Sequence, residues 1–280
     1  MKRVISASRR TDLIAFFPDW LAEVVRAEKA EVLGPSGRVY GVDLSPEKVH
    51  TFVLWSKSFE NLIANAGGLL DGLRKYDQLY FHFTITGLGG TQVEREVPAP
   101  EAALRQLDPL LDLAGRPECI SLRFDPVIYW KEKDEAKTNL RFFEKLAGRA
   151  AVKGIRDIRF SFAQWYGKSR RRADKLGFRY VDPAVEEKRK DASYLSAVAR
   201  SYGLNLYVCS QDFAADVPGI RPSACIDGRL LQELHPEAAP VSVRKDRTQR
   251  RECRCTESID IGSYTQACPH SCVYCYANPY

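Results

Sequence analysis

The chain alternates short apolar runs with amphipathic stretches, and the alternation repeats from one end to the other. Val4, Ile5 and Ala7 form the first run and predict a strand over 4–8. Pro18 and Asp19 then open a helix through Leu21, Val24 and Val25, with its charged residues mostly on the other face. A turn-rich stretch over 34–46 encloses a short strand at 39–42. Residues 49–55 alternate into a strand, and 59–76 read as a helical segment broken at Gly67 and Gly68. A buried strand over 79–86 carries Tyr80, Phe81, Phe83 and Ile85 and leads into a glycine-rich turn at 87–90. The same reading gives helices over 101–113, 138–153 and 186–202, a basic helical segment at 168–176 and a helical turn at 230–234. Further strands fall at 120–124, 157–162, 205–209 and near 259–264.

Six to seven strands alternating with helices predict a parallel α/β fold. No Gly-x-Gly-x-x-Gly turn follows a strand, so a (β/α) barrel is expected ahead of a dinucleotide-binding sheet. Residues 1–243 read as the barrel body. The basic linker, last strand and cysteine-rich tail of 244–280 complete the same domain. Parallel barrels gather their chemistry at the C-terminal ends of the strands. The polar residues found there are Arg9, Arg10, Thr11 and Asp12; Lys57; Thr86 and Glu94; Arg123 and Asp125; Gln164; Gln211 and Asp212. Each has a plain structural alternative: Arg123 and Asp125 as an ion pair, Lys57 as a helix cap. Their recurrence at nearly every strand end is what marks them.

Composition narrows the setting. A chain of 280 residues, 45% hydrophobic, can bury a full core. The start turns polar too soon for a signal peptide, and no apolar run is long enough to cross a bilayer. A cytoplasmic protein without a membrane partner is therefore expected, in a compartment that keeps thiols reduced. There, eight cysteines, five of them between 253 and 275, read as metal ligands rather than disulfides. The net charge of +6 suits an anionic substrate such as nucleic acid and equally suits ordinary solubility. The basic stretches 168–172 and 244–251, with tyrosines and Trp165, match a phosphate-tracking surface. The nearly equal number of acidic residues favours a solvated face instead.

The densest chemistry is Cys268, Cys272 and Cys275, spaced C-x3-C-x2-C. One turn of chain can aim three thiolates at one object, and thiolate is the soft ligand preferred by iron–sulfur clusters and zinc. The paired C-x2-C spacing common in zinc knuckles is missing, which favours a cluster. With Tyr274 before the last cysteine, the string resembles the signature of the radical SAM superfamily. Its longer form, CPHSCVYCYANPY at 268–280, is similar to the spore photoproduct lyase branch. That resemblance implies a 4Fe-4S cluster on Cys268, Cys272 and Cys275, with S-adenosyl-L-methionine (SAM) on the fourth iron and Tyr274 near the adenine. It further implies reductive cleavage of SAM to a 5′-deoxyadenosyl radical, an external electron donor of the ferredoxin or flavodoxin type, and nucleic acid among the substrate classes.

In that branch the cysteine loop follows the first strand, and a Thr-Asp strand end and a Thr-Lys-Ser strand come later. Here Thr11-Asp12 and Ser56-Lys57-Ser58 keep this order while the loop stands at the far end. The strings ISASRRTD at 5–12, RFDP at 123–126, CID at 225–227 and DIGSY at 260–264 resemble the domain-of-unknown-function 1848 family over essentially the whole length. The resemblance is to a circularly permuted radical SAM barrel of unknown substrate. On that reading the strand at 259–264 pairs beside 4–8, and Arg9, Arg10, Thr11 and Asp12 overlook the cluster. Thr11, Asp12 and Tyr274 become cofactor-binding residues. Arg9, Arg10, Asp12 and Lys57, then Arg123 and Asp125, become candidates for gripping SAM or substrate. Five residues follow Cys275, so the helix usual after this loop is missing or stunted and the adenosyl side is expected to be more open.

Five cysteines remain. Cys119 beside a buried strand reads as a packed thiol. Cys209, Cys225, Cys253 and Cys255 are a full set for a second cluster or one zinc. Two alternatives stand beside this: Cys255 completes the first cluster, or Cys209 and Cys225 are ordinary packed thiols. The competing function classes are a non-catalytic redox or sensor protein with fully cysteine-ligated clusters, and a zinc-stabilised nucleic-acid-binding protein. His82 is expected as a hydrogen-bonded core histidine, with an acid–base group pointing into the barrel as the alternative, and His270 near the cluster sulfur or exposed.

Overall fold

The computed structural model describes residues 1–34 and 36–277. Pro35, in the turn-rich stretch, and 278–280, the end of the cysteine string, lie outside these. Eight parallel strands make one sheet: β1 Arg3–Ala7, β2 Val49–Ser56, β3 Leu79–Thr84, β4 Ile120–Val127, β5 Asp157–Phe162, β6 Asn205–Val208, β7 Ile220–Pro222 and β8 Ile259–Asp260. Their order across the sheet is β7-β6-β5-β4-β3-β2-β1-β8, so the last strand lies beside the first. Ile5 faces Ile259 and Ser6 faces Asp260 in that parallel pair. The edge strands β7 and β8 share no ladder among the described residues. The segments flanking them do meet: the Thr256 amide donates to the Ile226 carbonyl at 2.9 Å, and the Gly228 amide to Thr256 Oγ1 at 3.0 Å.

A strand's two faces are read by alternate residues, and here the two parities have different jobs. Ile5, Phe52, Leu54, Phe81, Phe83, Leu122, Phe124, Ile158 and Phe160 pack into the large core. They meet the apolar faces of the helices Pro18–Arg26, Leu107–Ala114, Phe142–Val152 and Val185–Ser201, through residues such as Leu21, Leu110, Phe143 and Leu195. The other parity carries Ser6, Trp55, His82, Arg123 and Arg159. This second face is covered by a smaller core of Val4, Val53, Tyr80, Cys225, Ile226, Leu231, Cys253 and Cys255. A polar residue on that parity must find a partner beneath this cover. Arg159 does, donating to Ser121 Oγ beside Asp157 and lying 5.0 Å from the Tyr207 ring.

The sheet has eight strands rather than six to seven. The additional one, Ile220–Pro222, is a three-residue edge strand ending in proline, too short to show a period. The last strand stops at Asp260 rather than running to 264. The helical segment over 59–76 breaks at Gly67 and Gly68 as expected, into Glu60–Ile63, Ala66–Gly68 and Leu69–Leu73, because Asn65, Gly67 and Gly68 all take left-handed backbone angles. Helix Phe142–Val152 starts four residues late, since Glu135–Thr138 pairs antiparallel with Tyr129–Glu132, which pairs in turn with Arg179–Val181. A second hairpin joins Lys29–Leu33 to Val39–Asp43.

Candidate functional site

Residues 9–12 leave the end of β1 in a tight turn organised by Ser8, whose Oγ accepts the amides of Arg10 at 2.9 Å and Thr11 at 3.4 Å. Gly262, beyond β8, packs against this hydroxyl so closely that a Cβ there would lie 2.0 Å from it. Arg10 reaches back to the Gly262 carbonyl at 2.7 Å and lies 5.2 Å from the Tyr264 ring. The Arg9 amide binds Asp260 Oδ2 at 2.8 Å, and its guanidinium bonds Ser258 and lies 5.7 Å from the Trp55 ring.

Asp12 is buried and its carboxylate is fully engaged. Oδ1 accepts from the Ala15 amide at 3.0 Å, capping the helix Leu13–Phe16, and from Ser56 Oγ at 2.8 Å. Oδ2 accepts from the Lys57 amide at 2.8 Å and from His270 Nε2 at 3.0 Å. Asp12 therefore positions three chain segments and has little capacity left for a ligand. Thr11 is different: its Oγ1 is buried with no hydrogen-bond partner.

The cysteine loop lies against these turns. Val273 fills a small apolar cluster with Leu88, Val93, Ile128 and Trp165, and its amide donates to the Val93 carbonyl at 3.0 Å. Arg172 Nη1 donates to the carbonyls of Cys272, Val273 and Cys275. One residue of the basic helix Gly167–Lys175 is thus spent on holding the loop, leaving Lys168, Arg170 and Arg171 exposed. His270 is neither exposed nor aimed at a sulfur. It is buried between Asp12 and the Glu96 carbonyl, 3.0 Å from each, with its ring edge-on to Phe16. The Tyr274 hydroxyl donates to Glu94, which also takes Lys57 Nζ at 2.9 Å and Thr86 Oγ1 at 2.8 Å. Burial pulls the Lys57 pKa down, but the charges of Glu94 and Cys272 more than reverse this and hold it raised. Burial pushes the Cys268 thiol up to about 12 and raises Cys272 and Cys275 as well.

Cysteines from three further segments meet beside Arg123. Cys225 Sγ lies 4.0 Å from Cys209 Sγ, and Cys255 Sγ accepts the Ile226 amide at 3.4 Å, with Cys253 two residues before it. The neighbouring thiols of Cys209 and Cys255 hold Cys225 well below the ordinary thiol range, and Cys255 brings Cys253 to about 6. Cys209 and Cys255 are raised by the same neighbours and by burial. Arg123 Nη1 points at Cys225 Sγ from 3.5 Å while its other nitrogen binds Asp125. Cys255 keeps company with this group, not with the C-terminal loop. Cys119 is packed in the smaller core, with its pKa raised by burial.

Two adjoining cavities connect the parts. The smaller, about 180 Å³, is lined by Arg9, Arg10, Thr11, Asp12, Lys57 and all three loop cysteines. The larger, about 480 Å³, is lined by Cys209, Cys225, Cys253, Cys255, Asp125 and the rim residues Tyr166 and Arg250. Arg9, Trp55, Lys57, Arg123, Tyr274, Cys275 and Tyr276 border both. Among the described residues, no three His, Cys, Asp or Glu side chains are gathered tightly enough to hold a single metal ion.

Trp55 escaped the sequence reading of the site, whereas His82 is the hydrogen-bonded core histidine expected there. The guanidinium groups of Arg9 and Arg123 lie 5.7 and 5.0 Å from the Trp55 ring, which stacks on His82 at 4.1 Å. His82 is a core histidine: Nε2 bonds the Cys225 carbonyl at 2.7 Å, and burial holds its pKa well below the usual value. Only the period-two alternation of β2 and β3, which puts both on the site's face, signals them.

The fold and site define a parallel α/β protein with two thiol-lined cavities at the C-terminal ends of its strands. The chain belongs to the family described as Domain of unknown function (DUF1848), which matches residues 4–277. No curated protein matches it. No helix among the described residues is long and apolar enough to cross a membrane.

Proposed function

We propose that the chain is an iron–sulfur enzyme of the radical SAM type, with Cys268, Cys272 and Cys275 as ligands of a 4Fe-4S cluster and SAM in the smaller cavity. One observation supports this above the others. Residues 9–12 and the three tail thiols, at opposite ends of the sequence, line one cavity, and Thr11, one of its lining residues, has a hydroxyl buried without a partner. A buried hydroxyl without a partner is costly and calls for a polar ligand. The strand order fits a circularly permuted radical SAM barrel, since β8 precedes the loop in sequence and lies beside β1.

When bound, the cluster would supply one electron to the sulfonium of SAM and release a 5′-deoxyadenosyl radical. The chain's own residues hold and enclose. Arg172, His270 and Tyr274 fix the loop, and Asp12 fixes the turn opposite it. Thr11 Oγ1 and Arg10 face SAM, and Tyr274 borders both cavities. Arg9, Lys57, Arg123 and Asp125 face the larger cavity, where an anionic substrate, nucleotides among the candidates, meets three cations and the face of Trp55. An external donor of the ferredoxin or flavodoxin type delivers the electron.

The test is EPR of the anaerobically reduced protein with and without SAM. A cluster signal perturbed by SAM is expected. An iron signal indifferent to SAM would replace this reading with a redox or sensor protein, and a colourless zinc protein would replace it with a metal-stabilised binding module.

A further inference from the structure

We propose that Cys209, Cys225, Cys253 and Cys255 hold a second iron–sulfur cluster, ligated entirely by protein thiolates, on the wall of the larger cavity. The four arrive from separate places: after β6, after β7, and from the two positions of a Cys-x-Cys stretch before β8. Cys209 and Cys225 are in contact at 4.0 Å between sulfurs, and all four thiols border the 480 Å³ space. Four thiols on the wall of one cavity suit an object with its own volume and four separate metal corners. A lone tetrahedral ion needs its ligands knotted about one point, and that arrangement is absent among the described residues.

The surroundings argue against four merely packed thiols. Arg123 Nη1 reaches Cys225 Sγ at 3.5 Å, the Ile226 amide donates to Cys255 Sγ at 3.4 Å, and Ser223 Oγ is 3.6 Å from Cys225 Sγ. Apolar packing does not recruit a guanidinium. A thiolate-bound cluster does, because its net negative charge needs offsetting and N–H donors to sulfur set its potential. Arg9 is the second cation here, lining the same cavity as the four thiols. The larger cavity would then have thiols of both groups on its wall, with Cys275 bordering the same space.

The inference rests on the proposed function for the kind of metal assembly but not for the site, so the two can fail separately. Iron and acid-labile sulfide are counted on the anaerobically purified full chain. Two clusters give about eight irons per chain. The variant Cys268→Ala/Cys272→Ala/Cys275→Ala should retain about four, with the broad absorption near about 400 nm. The variant Cys225→Ala/Cys253→Ala should lose about four and keep the SAM-responsive EPR signal. A loop variant with no iron, or with one zinc in its place, overturns the second cluster and leaves the first reading intact. Iron lost only in the Cys225/Cys253 variant sinks the SAM reading and keeps the second centre. Should the loop variant fail to fold, the wild type decides. A reduced signal half of which ignores SAM supports the proposal, and one that shifts entirely with SAM overturns it.

Discussion

His270 Nε2 stands 3.0 Å from Asp12 Oδ2, joining residues 258 positions apart in the chain. Both are buried, and the contact ties the cysteine loop to the turn after β1. The other His270 ring nitrogen lies 3.0 Å from the Glu96 carbonyl, so the ring is held from both sides. Asp12→Ala should leave the donors of Ala15, Ser56, Lys57 and His270 without their acceptor. At about 1–3 kcal/mol for each orphaned buried donor, a stability loss of at least about 3 kcal/mol is expected. Urea denaturation measures it, and a loss under about 1 kcal/mol would show the carboxylate to be dispensable.

Lys57 and Glu94 form the neighbouring buried pair. Removing one partner of such a pair leaves an uncompensated charge and typically costs about 3–5 kcal/mol. Glu94→Gln and Lys57→Met should each destabilise by about that much, and the double variant by less than their sum. A strictly additive double-mutant cycle would mean that the 2.9 Å contact carries no coupling. The Glu94 change should also loosen Tyr274, read as faster hydrogen exchange of the loop amides.

Much of this architecture is legible in the chain, and the reasons are physical. The strands β2 and β3 are buried on both faces and show as apolar runs, and β4 to β6 keep one fully apolar parity, so their positions are legible in the residue pattern. The pairing of β8 beside β1 is foreseen only through the resemblance, since a two-residue strand carries no periodicity. The convergence of Cys209, Cys225, Cys253 and Cys255 follows from counting thiols. What stays hidden is who binds whom. Arg172 lies in a run of basic residues that reads as solvent-facing, yet it caps the loop carbonyls. Asp12 reads as a ligand-gripping carboxylate, yet its acceptors are filled by the protein. Trp55 looks like any aromatic of a buried strand until the two arginines near its ring are seen. Such partnerships depend on where distant loops come to rest, which no local pattern encodes.

His50 supplies a pH test remote from the thiols. It is fully buried, with Nε2 donating to the Ala239 carbonyl at 2.8 Å and Nδ1 taking the Thr51 hydroxyl at 2.7 Å. Both bonds belong to the neutral ring, and burial, reinforced by the nearby His235, lowers its pKa from 6.5. The unfolded chain therefore binds a proton that the folded chain resists. The stability from this group is complete above the unfolded value of 6.5 and is lost as pH falls below it. His50→Gln should be less stable than wild type at pH 7, and the gap should narrow toward pH 5. A gap that is the same at both pH values would rule out titration of His50.

Gly262 allows ligand binding to be separated from cluster assembly. A Cβ at this position would lie 2.0 Å from Ser8 Oγ and 2.7 Å from Ser8 Cβ, so Gly262→Ala must displace the serine. Ser8 Oγ holds the amides of Arg10 and Thr11, and the Gly262 carbonyl holds the Arg10 side chain, so the displacement re-aims the residues that face the smaller cavity. It leaves the cysteine loop's own anchors, Val273, Arg172 and Tyr274, untouched. Gly262→Ala should therefore keep the wild-type iron content while its affinity for SAM drops about tenfold or more, equivalent to about 1.4 kcal/mol. Titrating the SAM-dependent EPR change against SAM concentration gives the affinity directly. If iron and SAM response fall together, the turn at 9–12 serves the cluster itself. If neither falls, the turn plays no part in holding SAM.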